Sequence, residues 1–183
     1  LLGASMLVVA AREISDHFTQ TPLHTSVGQL TVLPNSPVVV ARQANLLLDL
    51  RSADEEVLAQ ADRMLHERVA EIEIRANVRI EKRSSHCWPV TPYQADGLRL
   101  AGQVAAELGL TYSTVQTLAG HDSTNMKDIV PTVMLFVPSV DGISHNEHEY
   151  TLDEDIVAGT AMLTSVVARL CDGALAPSAA RAE

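Results

Sequence analysis

Pro34 and Pro37 bracket Asn35-Ser36 between two β-rich runs, Thr25 to Leu33 and Val38 to Arg51. Proline has no backbone N–H, so neither residue can carry a ladder onward. The tetrapeptide must be a turn, and the two runs fold back on each other. In the second run Leu46, Leu48 and Leu50 alternate with Leu47, Asp49 and Arg51, the period of a strand with one apolar face. The apolar stretch Leu1 to Phe18 reads as a helix ended near Thr21-Pro22. Ser52 is placed to cap a helix running to about Arg75, with Glu55 and Glu56 in its positive first turn. Val57, Ala61, Met64, Leu65, Val69 and Ile72 form its apolar stripe, and Val78 to Lys82 reads as a short strand. This order predicts a small α+β layer with an antiparallel sheet.

After Ser84 the pattern changes, at the breaks Trp88-Pro89 and Thr91-Pro92. Gln94 to Leu108 is a helix stopped by Gly109, Leu118 to Met126 a Gly/His/Asp loop, and Thr132 to Val137 an apolar strand. A polar loop, Pro138 to Glu149, precedes a last helix, Leu152 to Cys171, whose Asp153, Glu154 and Asp155 suit its N-terminal dipole. The tail from Ala174 is expected to fray. Residues 84–183 thus read as the C-terminal part of an α/β domain, and 1–83 as a separate α+β layer.

The net charge of −10 argues against nucleic-acid binding, which needs clustered Lys and Arg. The N-terminal apolar run is too short to span a bilayer and lacks a signal peptide's basic start and cleavage site. Cys87 and Cys171 stand far apart in no ligand spacing, which fits a reducing cytoplasm. The chain starts without Met and in mid-pattern, as a piece of a longer protein would.

Polar chemistry concentrates in two loops. In Ala119-Gly120-His121-Asp122-Ser123 a glycine lets backbone and imidazole approach a ligand, and Asp122 can orient the His121 ring or serve only in a turn. Gly142-Ile143-Ser144-His145-Asn146-Glu147-His148-Glu149 follows a buried strand, where ligands of α/β sheets gather. His145 or His148 with Glu149 can bind a metal there, or the loop is simply solvated.

Val115 to Leu170 resembles the C-terminal stretch of the N-carbamoyl-amino-acid hydrolase, β-ureidopropionase and allantoate amidohydrolase family, within the dinuclear metallo-aminoacylase/carboxypeptidase superfamily. The resemblance runs through Ala119-Gly120-His121-Asp122, Pro131-Thr132, Met134 to Ser139, Gly142 to His145, Glu149-Tyr150-Thr151, Asp155 and Gly159. Val27-Gly28, the Pro34–Pro37 turn and Asp49-Leu50-Arg51 look like the same family's lid, so 1–83 is expected to be part of a lid and dimerisation domain.

The resemblance implies a hydrolase of carbamoyl or ureido C–N bonds that uses two divalent ions, zinc or manganese, acts on a small carboxylate-bearing substrate and forms a homodimer through the lid. His145 matches the last metal ligand. Arg51 matches the arginine that grips the substrate carboxylate, a task suited to its forked donors. Gly120 and His121 match the loop at the carbonyl or ureido end, and Glu149 is expected to support the His145 loop. No catalytic base falls within these residues; the resemblance places it upstream of Leu1. Departures from the family pattern are Val38 for a substrate-binding asparagine, Ala41-Arg42 for Pro-Gly, and Thr117-Leu118 for Ser-Gly. Aminoacylase or dipeptidase specificity, and a non-catalytic oligomerisation role, stay open at this point.

Overall fold

The computed structural model describes residues 1–175. The chain divides into two compact units, Leu1–Val90 and Thr91–Glu183, and each is described by itself. No helix among the described residues is long and apolar enough to cross a membrane.

In the first unit the order is α1 (Leu2–His17), β1 (His24–Leu33), β2 (Gln43–Arg51) and α2 (Glu55–Ala76). The Pro34–Pro37 turn brings β1 and β2 into an antiparallel pair, from His24 opposite Arg51 to Leu33 opposite Gln43, with an irregularity between Val27 and Gln29 at Gly28. The second strand begins at Gln43, not Val38: Arg42 N–H closes onto Leu33 O at 3.0 Å, and the preceding residues form the connection. Leu46 and Leu50 face the helices as their alternation predicts. Leu46 packs against Leu7, Ala10 and Ile72, and Leu50 against Ile14, Leu23 and Ala61. All six residues of the α2 stripe join these two clusters. Gly3 lets α1 come close, since a Cβ there would sit 2.8 Å from Val78 Cγ2.

Two local expectations are corrected. Asp54, not Ser52, caps α2: its carboxylate accepts the N–H of Glu56 at 2.8 Å, while buried Ser52 accepts the N–H of Asp54 at 3.2 Å. Residues 78–82 form no ladder. The chain leaves α2 through Asn77 at φ 49°, Val78 N–H bonds Glu73 O, and Ile80 N–H is taken by the Glu73 carboxylate at 2.6 Å. Those donors are spent on finishing the helix.

The second unit contains α3 (Ala95–Glu107), the single turn α4 (Ser123–Met126), a 3-10 turn at Val140–Gly142 and α5 (Asp153–Cys171). Leu108 ends α3 and Gly109 follows at φ 68°. The Leu118–Met126 loop closes with the single turn α4, and residues 132–137, expected as a strand, join no sheet among the described residues. They still show the side-chain period of a strand. Val133 and Leu135 pack on the cluster Leu100, Val104 and Val166 between α3 and α5, while Met134 points to the hydroxyl of Tyr93. Of the tail, Leu175 packs against that cluster; residues 176–183 lie outside the described residues.

The α5 contact gives a stability test. A Cβ on Gly159 would run into Val137 Cγ1. Overpacking of this kind costs about 1–3 kcal/mol, against a helix-propensity gain of about 1 kcal/mol. Gly159→Ala should therefore lower the denaturant midpoint, and Gly159→Ala in a Val137→Ala background should raise it. Equal effects in both backgrounds would contradict the close contact.

Candidate functional site

The loop after residue 137 is fastened at its neck. Val140 N–H donates to Tyr150 O at 2.8 Å, Thr151 Oγ1 to Pro138 O at 3.0 Å, and Ser139 Oγ to Ile143 O. Asp141 and Gly142 turn the chain through positive φ, 56° and 69°. His145 is also at φ 56°, a region that non-glycine residues enter at a cost of about 1–3 kcal/mol. The Glu149 carboxylate accepts the His145 N–H at 2.8 Å and so satisfies the backbone in that conformation. Ser144 Oγ lies 3.1 Å from His145 Nδ1, which leaves Nε2 of the exposed ring for a further bond. His148 does not share this arrangement; its N–H bonds Asn146 Oδ1, and its ring lies 3.8 Å from Glu147.

The second loop rests on residues that sequence reading passed over. Gln94 bridges two segments, donating from Nε2 to Lys127 O at 2.6 Å and accepting Thr132 N–H at 3.1 Å. Lys127 is buried, donates to Thr91 O and Oγ1, and places its ammonium 5.2 Å from the centre of the Tyr93 ring. Tyr93 Oη reaches Ser123 Oγ at 2.6 Å, and Ser123 Oγ lies 2.7 Å from His121 Nδ1. Ser123 N–H also donates to that nitrogen, at 3.1 Å. Asp122 stands at the start of α4, where its carbonyl receives the N–H groups of Asn125 and Met126. A Cβ at Gly120 would meet nothing within 4 Å, so the backbone there is open to approach. Nothing in the composition marked Tyr93 or Lys127. Ser123 was visible only as the end of the Gly-His-Asp loop.

Arg51 belongs to the first unit, at the end of β2. Its Nε donates to Asp49 Oδ2 at 2.5 Å, both side chains being about half exposed. A substrate carboxylate would share the guanidinium with Asp49. Among the described residues no three His, Cys, Asp or Glu side chains gather as a metal site. His145 fits a divalent ion as a single imidazole donor, with its loop held by Glu149, and these residues do not supply a closed ligand set.

The chain thus joins a unit built on a helix-backed hairpin to a helical unit whose loops carry histidines. The sequence matches Peptidase family M20/M25/M40 over residues 6–169, and the chain belongs to that family. It is 60% identical over 175 residues, 96% of its own length and 40% of the relative's, to a Mycolicibacterium smegmatis protein named in general terms as a hydrolase. It is 30% identical to the N-carbamoyl-L-amino acid amidohydrolase of Geobacillus stearothermophilus, covering 94% of this chain and 42% of that one. Its fold matches the crystal structure of an amidase of the hydantoinase/carbamoylase family from Burkholderia vietnamiensis with a TM-score of 0.87 and 29% identity, over 93% of this chain and 41% of that one. The chain thus spans about 40% of the length of the relatives it matches. The fold class and family expected from the motifs agree with these matches.

The Glu149 contact can be checked without catalysis. Glu149→Ala should speed hydrogen exchange at the His145 amide about tenfold, the equivalent of one charge-assisted hydrogen bond of roughly 1.5 kcal/mol, whereas Glu149→Gln should speed it less. An unchanged rate in Glu149→Ala would remove Glu149 from the support of this loop.

Proposed function

We propose that the whole protein hydrolyses a C–N amide bond of the carbamoyl or ureido type in a small substrate that carries a carboxylate. Family membership across residues 6–169 carries this reading, and the named carbamoyl amidohydrolase relative supports its substrate class. In this reading residues 1–83 belong to a lid through which two copies pair, residues 84–183 to the catalytic domain, and the protein works in the cytoplasm.

The residues take distinct tasks. Arg51 binds the substrate carboxylate, a task suited to the forked donors of its guanidinium. Gly120 and His121 receive the carbonyl end, where negative charge grows during attack. His145 would hold one of two divalent ions, zinc or manganese, and Glu149 fixes the backbone from which it reaches. Bound ions of this kind supply Lewis-acid activation of water. The general base lies outside this chain's residues. One observation favours a second reading, an aminoacylase or dipeptidase specificity. Val38, which stands where the family has a substrate-binding asparagine, is 89% exposed and offers no hydrogen bond to a ureido group.

Two substitutions in the whole protein divide the tasks. His145→Ala should reduce bound metal from two ions per active site towards one and nearly abolish turnover with the fold intact. Elemental analysis showing both ions retained in a folded, inactive variant would move His145 from the metal to the substrate. Arg51→Lys keeps the charge but loses the fork. Metal content should hold, while KM for carboxylate substrates rises about tenfold or more. An unchanged KM would take Arg51 out of substrate binding.

A further inference from the structure

The hydrogen bonds around His121 fix more than its position. A backbone N–H can only donate, so the approach of Ser123 N–H to Nδ1 at 3.1 Å makes Nδ1 an acceptor. In the neutral ring the proton is then on Nε2. The rest of the chain of contacts takes its direction from this. Ser123 Oγ, 2.7 Å from Nδ1, must donate to it, and with its proton committed it accepts the Tyr93 hydroxyl at 2.6 Å. Met134 Sδ lies 3.3 Å from Tyr93 Oη and 3.6 Å from Ser123 Oγ; as a weak acceptor it does not compete with an oxygen or an imidazole nitrogen. The Lys127 ammonium over the Tyr93 ring makes the phenol a better donor. Lys127 is itself anchored to Thr91, so the far end of the relay is buried and held, while His121 at the near end is exposed.

We propose that Tyr93 and Ser123 are positioning residues that lock His121 in the Nε2–H tautomer, so that it serves as a hydrogen-bond donor to the carbonyl oxygen of the substrate and not as a base. The substrate half of this statement rests on the function proposed above; the tautomer half rests on the geometry alone. A neutral imidazole presenting N–H to an oxygen that gains negative charge needs no proton transfer, only a ring that is already turned and protonated on the correct side. The two hydroxyls supply both conditions. The backbone carbonyl of Asp122 receives N–H groups at the start of α4, and its neighbour Ser123 holds the His121 ring.

Long-range proton–nitrogen NMR spectra of the full chain, labelled at its 7 histidines and assigned with His121→Gln, read the tautomer directly. With the ring neutral, His121 should show a protonated Nε2 and an unprotonated Nδ1. Ser123→Ala should shift it to a mixture of tautomers, Ser123→Thr should restore the single form, and Tyr93→Phe should fall between. A wild-type ring protonated on Nδ1, or a tautomer unmoved by both Ser123→Ala and Tyr93→Phe, overturns the positioning role. In the whole protein Ser123→Ala should lower kcat about tenfold, the worth of one well-placed hydrogen bond, with KM and metal content changed much less and Ser123→Thr again rescuing. If the tautomer behaves as stated but His121→Ala turns over like the wild type, the substrate assignment falls and the positioning role stands.

Discussion

Close approach between helices and their neighbours is the constraint on which both units depend. Only 3% of the residues are aromatic, so the cores must be filled by aliphatic side chains of modest size. Such a core reaches native density only where small residues let backbones come near. In the first unit Ala10, Ala11 and Ala61 are buried between α1, α2 and the hairpin, and Gly3 admits Val78. In the second, a Cβ on Gly102 would lie 2.7 Å from Tyr112 Oη, one on Gly97 would press on Thr132 O at 3.3 Å, and Gly159 accommodates Val137. Gly97 and Gly159 therefore set the course of residues 132–137, from which the His145 loop departs.

That course explains how an apolar core governs polar loops. Val133 and Leu135 are held in the α3–α5 cluster, so strand-like alternation turns Met134 the other way, towards Tyr93 and Ser123. Gln94 ties the same segment to Lys127. The loop that bears His121 is thus braced from two sides although its own residues are mostly exposed. A loop without regular structure gains definition this way, by satisfying its polar groups on a fixed frame.

Strong periodicity was the readable part of the sequence. The α2 stripe, the proline-bracketed hairpin and the acidic first turn of α5 follow from spacing, and the elements formed as spacing indicates. Boundaries were less readable wherever a hydrogen-bond choice decided them. Ser52 and Asp54 are both good caps, and only the geometry shows that Asp54 takes the N–H of Glu56 while Ser52 takes that of Asp54. Residues 78–82 have strand composition, but the Glu73 side chain reaches Ile80 N–H first. Within the loops, motif resemblance singled out His121, His145 and Arg51 because those residues stand in a family pattern. It was silent on Tyr93, which lies 28 positions before His121 and meets its loop only after folding.

The backbone of His145 shows what the loop architecture achieves. A residue held at φ 56° gives up free energy that an unconstrained loop would recover by relaxing. Here relaxation is opposed at three points: the Val140–Tyr150 bond closes the neck, Ser139 Oγ holds Ile143 O, and Glu149 holds the His145 N–H. The imidazole therefore extends from a backbone already in place. A side chain that does not need to be ordered on binding keeps more of its interaction energy for the ligand, because the entropy of fixing the loop has been met during folding. The same logic applies to His121, where two hydroxyls and a backbone N–H orient the ring. Both histidines are exposed, yet His121 is held through Ser123 to Tyr93, under the buried Lys127, and His145 by the Glu149 carboxylate and the Ser144 hydroxyl.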